Sequence, residues 1–138
     1  MQRTDIHNSA RSMCDRSEWA KQLWLKMQAL FVSSSHGHAT GLNEQFRFYR
    51  YGIGEYFKPH LDGADYRSPR ERFGWTVLIY VNEDIEGGET KLFRHKVQIA
   101  PKAGSLLAFV HRQLHAENEV NSGTKYVLRS DVMDFLNA

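Results

Sequence analysis

From Glu44 onward the chain is a succession of short runs rich in β-branched and aromatic residues: EQFRFYRY, WTVLIYV, TKLF, VQIA, GSLLAFV and KYVLRSDVMDF. That pattern constrains the fold more than any other feature, because such runs are strand-forming. Turn-type clusters YGIG, DGAD, EGGE and APKAG punctuate them. Many short strands so spaced predict an all-β sandwich or barrel rather than alternating βαβ units. Ahead of them, Trp19, Leu23, Trp24, Met27, Leu30 and Phe31 recur at helical spacing, which predicts a helix from about Asp15 to Phe31. Asp15 followed by Glu18 has the form of a capping box at its start. This aromatic stripe reads as packing against a sheet rather than as a cofactor site, and residues 33–41 read as a loop.

A length of 138 residues suits one domain, with 41% hydrophobic residues to fill a core and 25% charged residues to solvate it. No apolar run approaches the roughly 20 residues of a membrane span, so no membrane partner is expected. The polar start MQRTDIHNSARSMC lacks the apolar stretch of a secretory signal, and the lone Cys14 has no internal disulfide partner. A cytoplasmic location is the expectation. A net charge of +2 gives no reason to expect nucleic acid as a partner. Oligomeric state is not legible.

His60-Leu61-Asp62 sets an imidazole and a carboxylate two residues apart, which on extended chain puts both side chains on one face. With a third ligand from a distant strand they make a two-histidine, one-carboxylate triad, which holds iron(II) by one face and leaves the opposite positions open. With seven histidines in the chain, average composition gives an H-x-D by chance in about one chain in three. Context therefore decides. The pair follows a Gly-rich turn, and His115 comes just after the apolar run GSLLAFV, followed by a strand carrying Lys125 and Arg129.

With these residues the chain resembles the prolyl 4-hydroxylase-like branch of the iron(II)- and 2-oxoglutarate-dependent oxygenases, over about Asn43 to Phe135. The landmarks stand in family order: FYRYGIGEYFKPHLDG, TVLIYVN, GGET, VQIAPKAGSLLAF, the histidine of QLHAENEV, and GTKYVLRSDVMDF. The resemblance implies a mainly β fold, a double-stranded β-helix or jelly roll with an N-terminal packing helix. It implies iron(II) on His60, Asp62 and His115, with 2-oxoglutarate as cosubstrate and dioxygen as oxidant. Tyr51 and Tyr80 match positions lining the 2-oxoglutarate pocket, and Lys125 matches the residue that binds its distal carboxylate. Arg129 on the same strand face is a second candidate anchor. The implied reaction is hydroxylation of a peptidyl substrate, prolyl included, or of a small molecule, with release of succinate and carbon dioxide.

Residues 63–74, GADYRSPRERFG, follow the H-x-D motif and read as a mobile flap carrying specificity, with Tyr66, Arg67, Arg70 and Arg72 as candidate substrate contacts. His36 and His38 have chelating spacing but no carboxylate or cysteine nearby. On a strand, His111 becomes an outer-sphere or surface group, and His7 and His95 read as solvated. GGET lacks the Lys-Ser/Thr ending of a phosphate loop and reads as a tight turn. Two readings compete with an active hydroxylase: a noncatalytic jelly-roll binding domain, favoured by loss of a metal ligand, and a zinc or manganese reaction without 2-oxoglutarate, disfavoured by the cations Lys125 and Arg129.

Overall fold

The computed structural model describes residues 9–31 and 37–136. In chain order the elements are β1 (Ala10–Asp15), α1 (Ser17–Met27), a 3-10 turn (Gln28–Leu30), β2 (Gly37–Leu42), β3 (Gln45–Tyr51), β4 (Phe57–His60), β5 (Tyr66–Ser68) and β6 (Glu71–Tyr80). There follow β7 (Glu86–Gly87), β8 (Thr90–Leu92), β9 (Val97–Ile99), β10 (Leu106–Val110), β11 (His115–Glu117), β12 (Val120–Ser122) and β13 (Lys125–Leu136). A major sheet runs β1-β3-β13-β6-β10, with β2 also on β13 and β5 on β6; a minor sheet runs β4-β11-β8-β9; β12 pairs β7. Every pairing is antiparallel. This is the expected jelly roll.

Strand alternation sorts the major sheet into two faces. Phe46 of β3, Val77 of β6 and Val132 of β13 face α1, where Ala20 and Met27 are buried and Leu23, Trp24 and Phe31 pack against them. Tyr49 and Tyr51 of β3, Leu78 and Tyr80 of β6, Phe109 of β10 and Val127 of β13 face the interior, meeting Leu92 of the minor sheet. The helix closes one side of the sheet, and the space between the sheets holds the polar residues considered next.

The helix is shorter than the periodicity predicts. Asp15 ends β1, paired with Gln45, and the helix cap is Arg16 without a side-chain hydrogen bond, so the Asp15–Glu18 capping box does not form. Leu30 is 70% exposed in the 3-10 turn and leaves the apolar face, because the helical period has ended at Met27. Residues 37–41 of the expected loop belong to strand β2, which is held on the second half of β13. His7 and His36 lie outside the described residues; His38 sits on β2 with its ring 6.2 Å from that of Phe135.

Candidate active site

The register of β4 on β11 sets His60 directly opposite His115. Asp62 follows two residues past His60, and one atom from each of the three side chains lies within 4.8 Å of the others. Asp62 Oδ1 is 3.7 Å from His60 Nε2 and 3.5 Å from His115 Nε2. Each imidazole is oriented through its other nitrogen: Nδ1 of His60 lies 2.6 Å from the Lys58 carbonyl oxygen, and Nδ1 of His115 lies 2.9 Å from that of Gln113. A carbonyl only accepts, so both rings carry the proton on Nδ1 and turn the Nε2 lone pair toward Asp62. Burial, with repulsion from His115, pushes His60 down to about 4, so the ring is neutral at physiological pH and able to ligate.

The second oxygen of Asp62 is held from behind. Thr76 Oγ1 of β6 donates to Oδ2 at 2.6 Å, and Arg129 Nη2 of β13 approaches it at 3.3 Å. Burial alone would lower Arg129, but Asp62 and Asp131 outweigh it and the guanidinium stays charged. Oδ1 is thereby left facing the two imidazoles. Two imidazoles and a fixed carboxylate oxygen, converging from one side, are the donor set that suits iron(II) with positions left open.

Around this triad lies a cavity lined by Tyr49, Tyr51, Phe57, Leu78, Glu117, Val127 and Arg129. Behind the Glu117 and Tyr51 walls Lys125 is fully buried: Nζ donates to the Gly88 carbonyl at 2.6 Å and to Glu117 Oε1 at 2.5 Å, and lies 5.0 Å over the Tyr51 ring. Thr90 Oγ1 donates to the same Glu117 oxygen at 2.8 Å and stands 2.5 Å from the Tyr80 hydroxyl. Burial, then the Glu117 charge, raises both Tyr51 and Tyr80, so both phenols are neutral. An ammonium and hydroxyls at the far end, with a metal-type triad beside them, fit a dicarboxylate whose other end chelates the ion. Thr76 and Glu117 carry no motif signal of their own, whereas Gly88 and Thr90 lie in the GGET landmark, whose reading as a tight turn gives no hint of a pocket role.

The flap residues are placed differently from the expectation. Most of the segment, residues 66–74, belongs to the β5–β6 hairpin, with Tyr66 opposite Arg72. Arg67 binds Glu71 at 2.8 Å and Glu44 at 2.8 Å, and Arg72 lies 3.5 Å from Asp134. Arg70 is exposed. None of Tyr66, Arg67, Arg70 and Arg72 lines either cavity beside the triad. The second of these cavities also reaches Asp62 and is lined by Arg11, Arg47, Gly63, Ala64, Phe73, His111 and Asp131 among others. His111 is buried there, with Nε2 2.6 Å from the Ala64 carbonyl and Nδ1 3.6 Å from Asp131, an inner position rather than a surface one.

The fold and the triad define a class: a jelly-roll protein with a two-histidine, one-carboxylate centre between its sheets. Residues 46–130, more than half of the chain, match the 2OG-Fe(II) oxygenase superfamily, and the chain belongs to that family. It is a 2-oxoglutarate-dependent dioxygenase whose cofactors are iron(II), 2-oxoglutarate and dioxygen. Its fold is that of the viral collagen prolyl hydroxylase of Paramecium Bursaria Chlorella virus-1, solved with 2-oxoglutarate, at a TM-score of 0.70, 22% identity, and coverage of 95% of this chain and 81% of that one. A Pseudomonas putida prolyl-4-hydroxylase superposes with a TM-score of 0.67 at 20% identity over 99% of this chain and 76% of that one. A Trichoplax adhaerens prolyl hydroxylase, solved with a hypoxia inducible factor oxygen degradation domain peptide fragment, gives 0.67 at 16% identity over 92% and 63%. No curated protein sequence matches the chain significantly.

Proposed function

We propose that the protein hydroxylates a peptidyl substrate, prolyl residues included, with iron(II) held by His60, Asp62 and His115. The observation that carries this reading is the shared aim of the three ligand atoms, each fixed by a partner on its far side. When bound, iron(II) with 2-oxoglutarate and dioxygen supplies the oxidising chemistry. The protein's own residues orient, neutralise and exclude water: Thr76 and Arg129 fix Asp62, Phe57 stacks on the His60 ring at 3.7 Å, and Phe109 flanks His115 at 4.6 Å. The subsite of Lys125, Thr90, Tyr80 and Tyr51 receives the distal carboxylate of the cosubstrate.

The substrate side is the second cavity, which shares Tyr49, Phe57, His60, Asp62 and Arg129 with the first and so touches the ion position from another direction. A peptide strand laid there meets guanidinium donors for its carbonyl groups, and Phe57 and Phe73 for an apolar side chain. The peptide complex of the Trichoplax fold relative supports a peptide over a small molecule. Tyr66 and Arg72 line an adjoining cavity that also contains Phe73 and His111, the place from which they would contact a longer substrate.

Anaerobic addition of iron(II) and 2-oxoglutarate should produce the metal-to-ligand charge-transfer band, and Pro-containing peptides should then gain the mass of one oxygen under air. Asp62→Ala should lose both the band and turnover. Wild-type iron affinity and turnover in that variant would refute the triad.

A further inference from the structure

Glu117 stands two residues after His115 on β11, so the strand period returns its side chain to the same inward face, and the register sets it opposite Thr90. The triad makes no use of it. Oε1 takes hydrogen bonds from both Lys125 Nζ and Thr90 Oγ1, while Oε2 is buried and finds no hydrogen-bond partner among the described residues. Lys125 has no exposed surface, and the cavity beside the triad is lined by Glu117 but not by Lys125. A carboxylate of the protein's own chain therefore screens the buried ammonium from the cavity.

The far end of a dicarboxylate that chelates the ion needs what Lys125 and Thr90 offer: an ammonium and a hydroxyl in a dry site, where charge-assisted bonds are strong. Those donors are already engaged. We propose that Glu117 is a built-in competitor for the distal carboxylate of 2-oxoglutarate, seated on Lys125 and Thr90, and that the cosubstrate binds by displacing it. This rests on the reading of the cavity as the cosubstrate pocket. Two carboxylates crowded onto one buried lysine repel each other, so one must yield. The resident one is carried by the backbone and acts at high effective concentration. Glu117 thus lowers cosubstrate affinity, and the protein half-saturates at a higher 2-oxoglutarate concentration than it would with the lysine free. The unpartnered Oε2 faces the same way, since a carboxylate with one oxygen unsatisfied is held less firmly than one with both engaged.

The test is calorimetric titration of the manganese(II)-loaded protein, wild type and Glu117→Gln, with 2-oxoglutarate and with 2-oxobutyrate, which keeps the chelating head and lacks the distal carboxylate. Glu117→Gln should bind 2-oxoglutarate about tenfold more tightly or better, the scale of one freed charge-assisted bond. Its affinity for 2-oxobutyrate and for manganese(II) should stay at the wild-type value. Glu117→Asp, which keeps the charge but shortens the reach, should shift the same way and covers a failure of the glutamine variant to fold. Unchanged or weaker 2-oxoglutarate binding, or equal tightening of both oxo acids, overturns the proposal while leaving the oxygenase reading intact. If manganese(II) binds but neither variant takes up either oxo acid, the cosubstrate pocket itself is misassigned and this inference falls with it.

Discussion

Replacing Thr76 with Val isolates the contribution of the groups behind the triad. The substitution keeps the β-branch and nearly the volume of a fully buried residue in the centre of β6, so strand and packing are preserved. What it removes is the 2.6 Å hydrogen bond from Oγ1 to Asp62 Oδ2. A hydrogen bond to a charged group contributes about 1.5–3 kcal/mol. With the Thr76 hydroxyl gone, Oδ2 retains Arg129 at 3.3 Å as its polar partner among the described residues, and the carboxylate is freer to rotate away from the two imidazoles. Loss of such an outer partner generally weakens metal binding about 10- to 100-fold, or about 1.4–2.8 kcal/mol, and the two estimates agree. Anaerobic competition titration with iron(II) or manganese(II) reads the effect directly. Thr76→Ser, which keeps the hydroxyl, should stay near wild type. A valine variant with wild-type metal affinity would show that Thr76 does not orient Asp62.

The metal-free protein should lose stability on acidification through the His60 window. The unfolded imidazole protonates near 6.5 while the folded one resists until about 4, so between these values the unfolded chain binds the extra proton. The loss as pH falls reaches up to about 3 kcal/mol from this group, is absent above the unfolded value, and should be missing from thermal denaturation of His60→Gln. Gly87→Ala should destabilise by at least about 1–2 kcal/mol in urea, because φ is +77° and the added methyl group would clash with the Glu119 carbonyl oxygen. An unchanged midpoint would mean that the paired strands β7 and β12 relax around it.

The metal-type triad was legible because two of its members obey a local rule, the alternation of side chains on extended chain, and the third follows an unmistakable apolar strand. Other features depended on pairing that no local pattern displays. Glu117 acquires its position only when β11 aligns with β8, which sets it against Thr90. Thr76 sits inside WTVLIYV, where it reads as one more β-branched strand residue until the register of the sheet turns it toward Asp62. Strand β1 was missed because ARSMCD lies at the sheet edge with most side chains exposed, so it carries no alternation of apolar residues. That omission also moved the helix start, since Asp15 belongs to the strand. The ion pairs of Arg67 with Glu44 and of Arg72 with Asp134 were not legible, because those carboxylates lie far away in sequence.

Strand geometry also settles how β13 divides its two inward cations. Lys125 and Arg129 share a face but stand roughly 13 Å apart. Lys125 is opposite Tyr51 in register and meets Gly88 and Glu117, whereas Arg129 is opposite Arg47 and meets Asp62 and Asp131. On this placement we propose that Lys125 serves the distal end of the cosubstrate and Arg129 the metal side. Removing Lys125 alone would strand Glu117 as a buried unpaired charge, so the informative variant is Lys125→Met combined with Glu117→Gln. That double variant should bind manganese(II) as the wild type does, and should bind 2-oxoglutarate more weakly than Glu117→Gln alone. Arg129→Ala should instead weaken manganese(II) binding by about tenfold, through the freed Asp62 carboxylate. Its effect on 2-oxoglutarate should vanish when titrations are compared at saturating metal. The opposite outcome, metal affinity following Lys125 and metal-saturated 2-oxoglutarate affinity following Arg129, would exchange the two assignments and refute the division drawn from their partners.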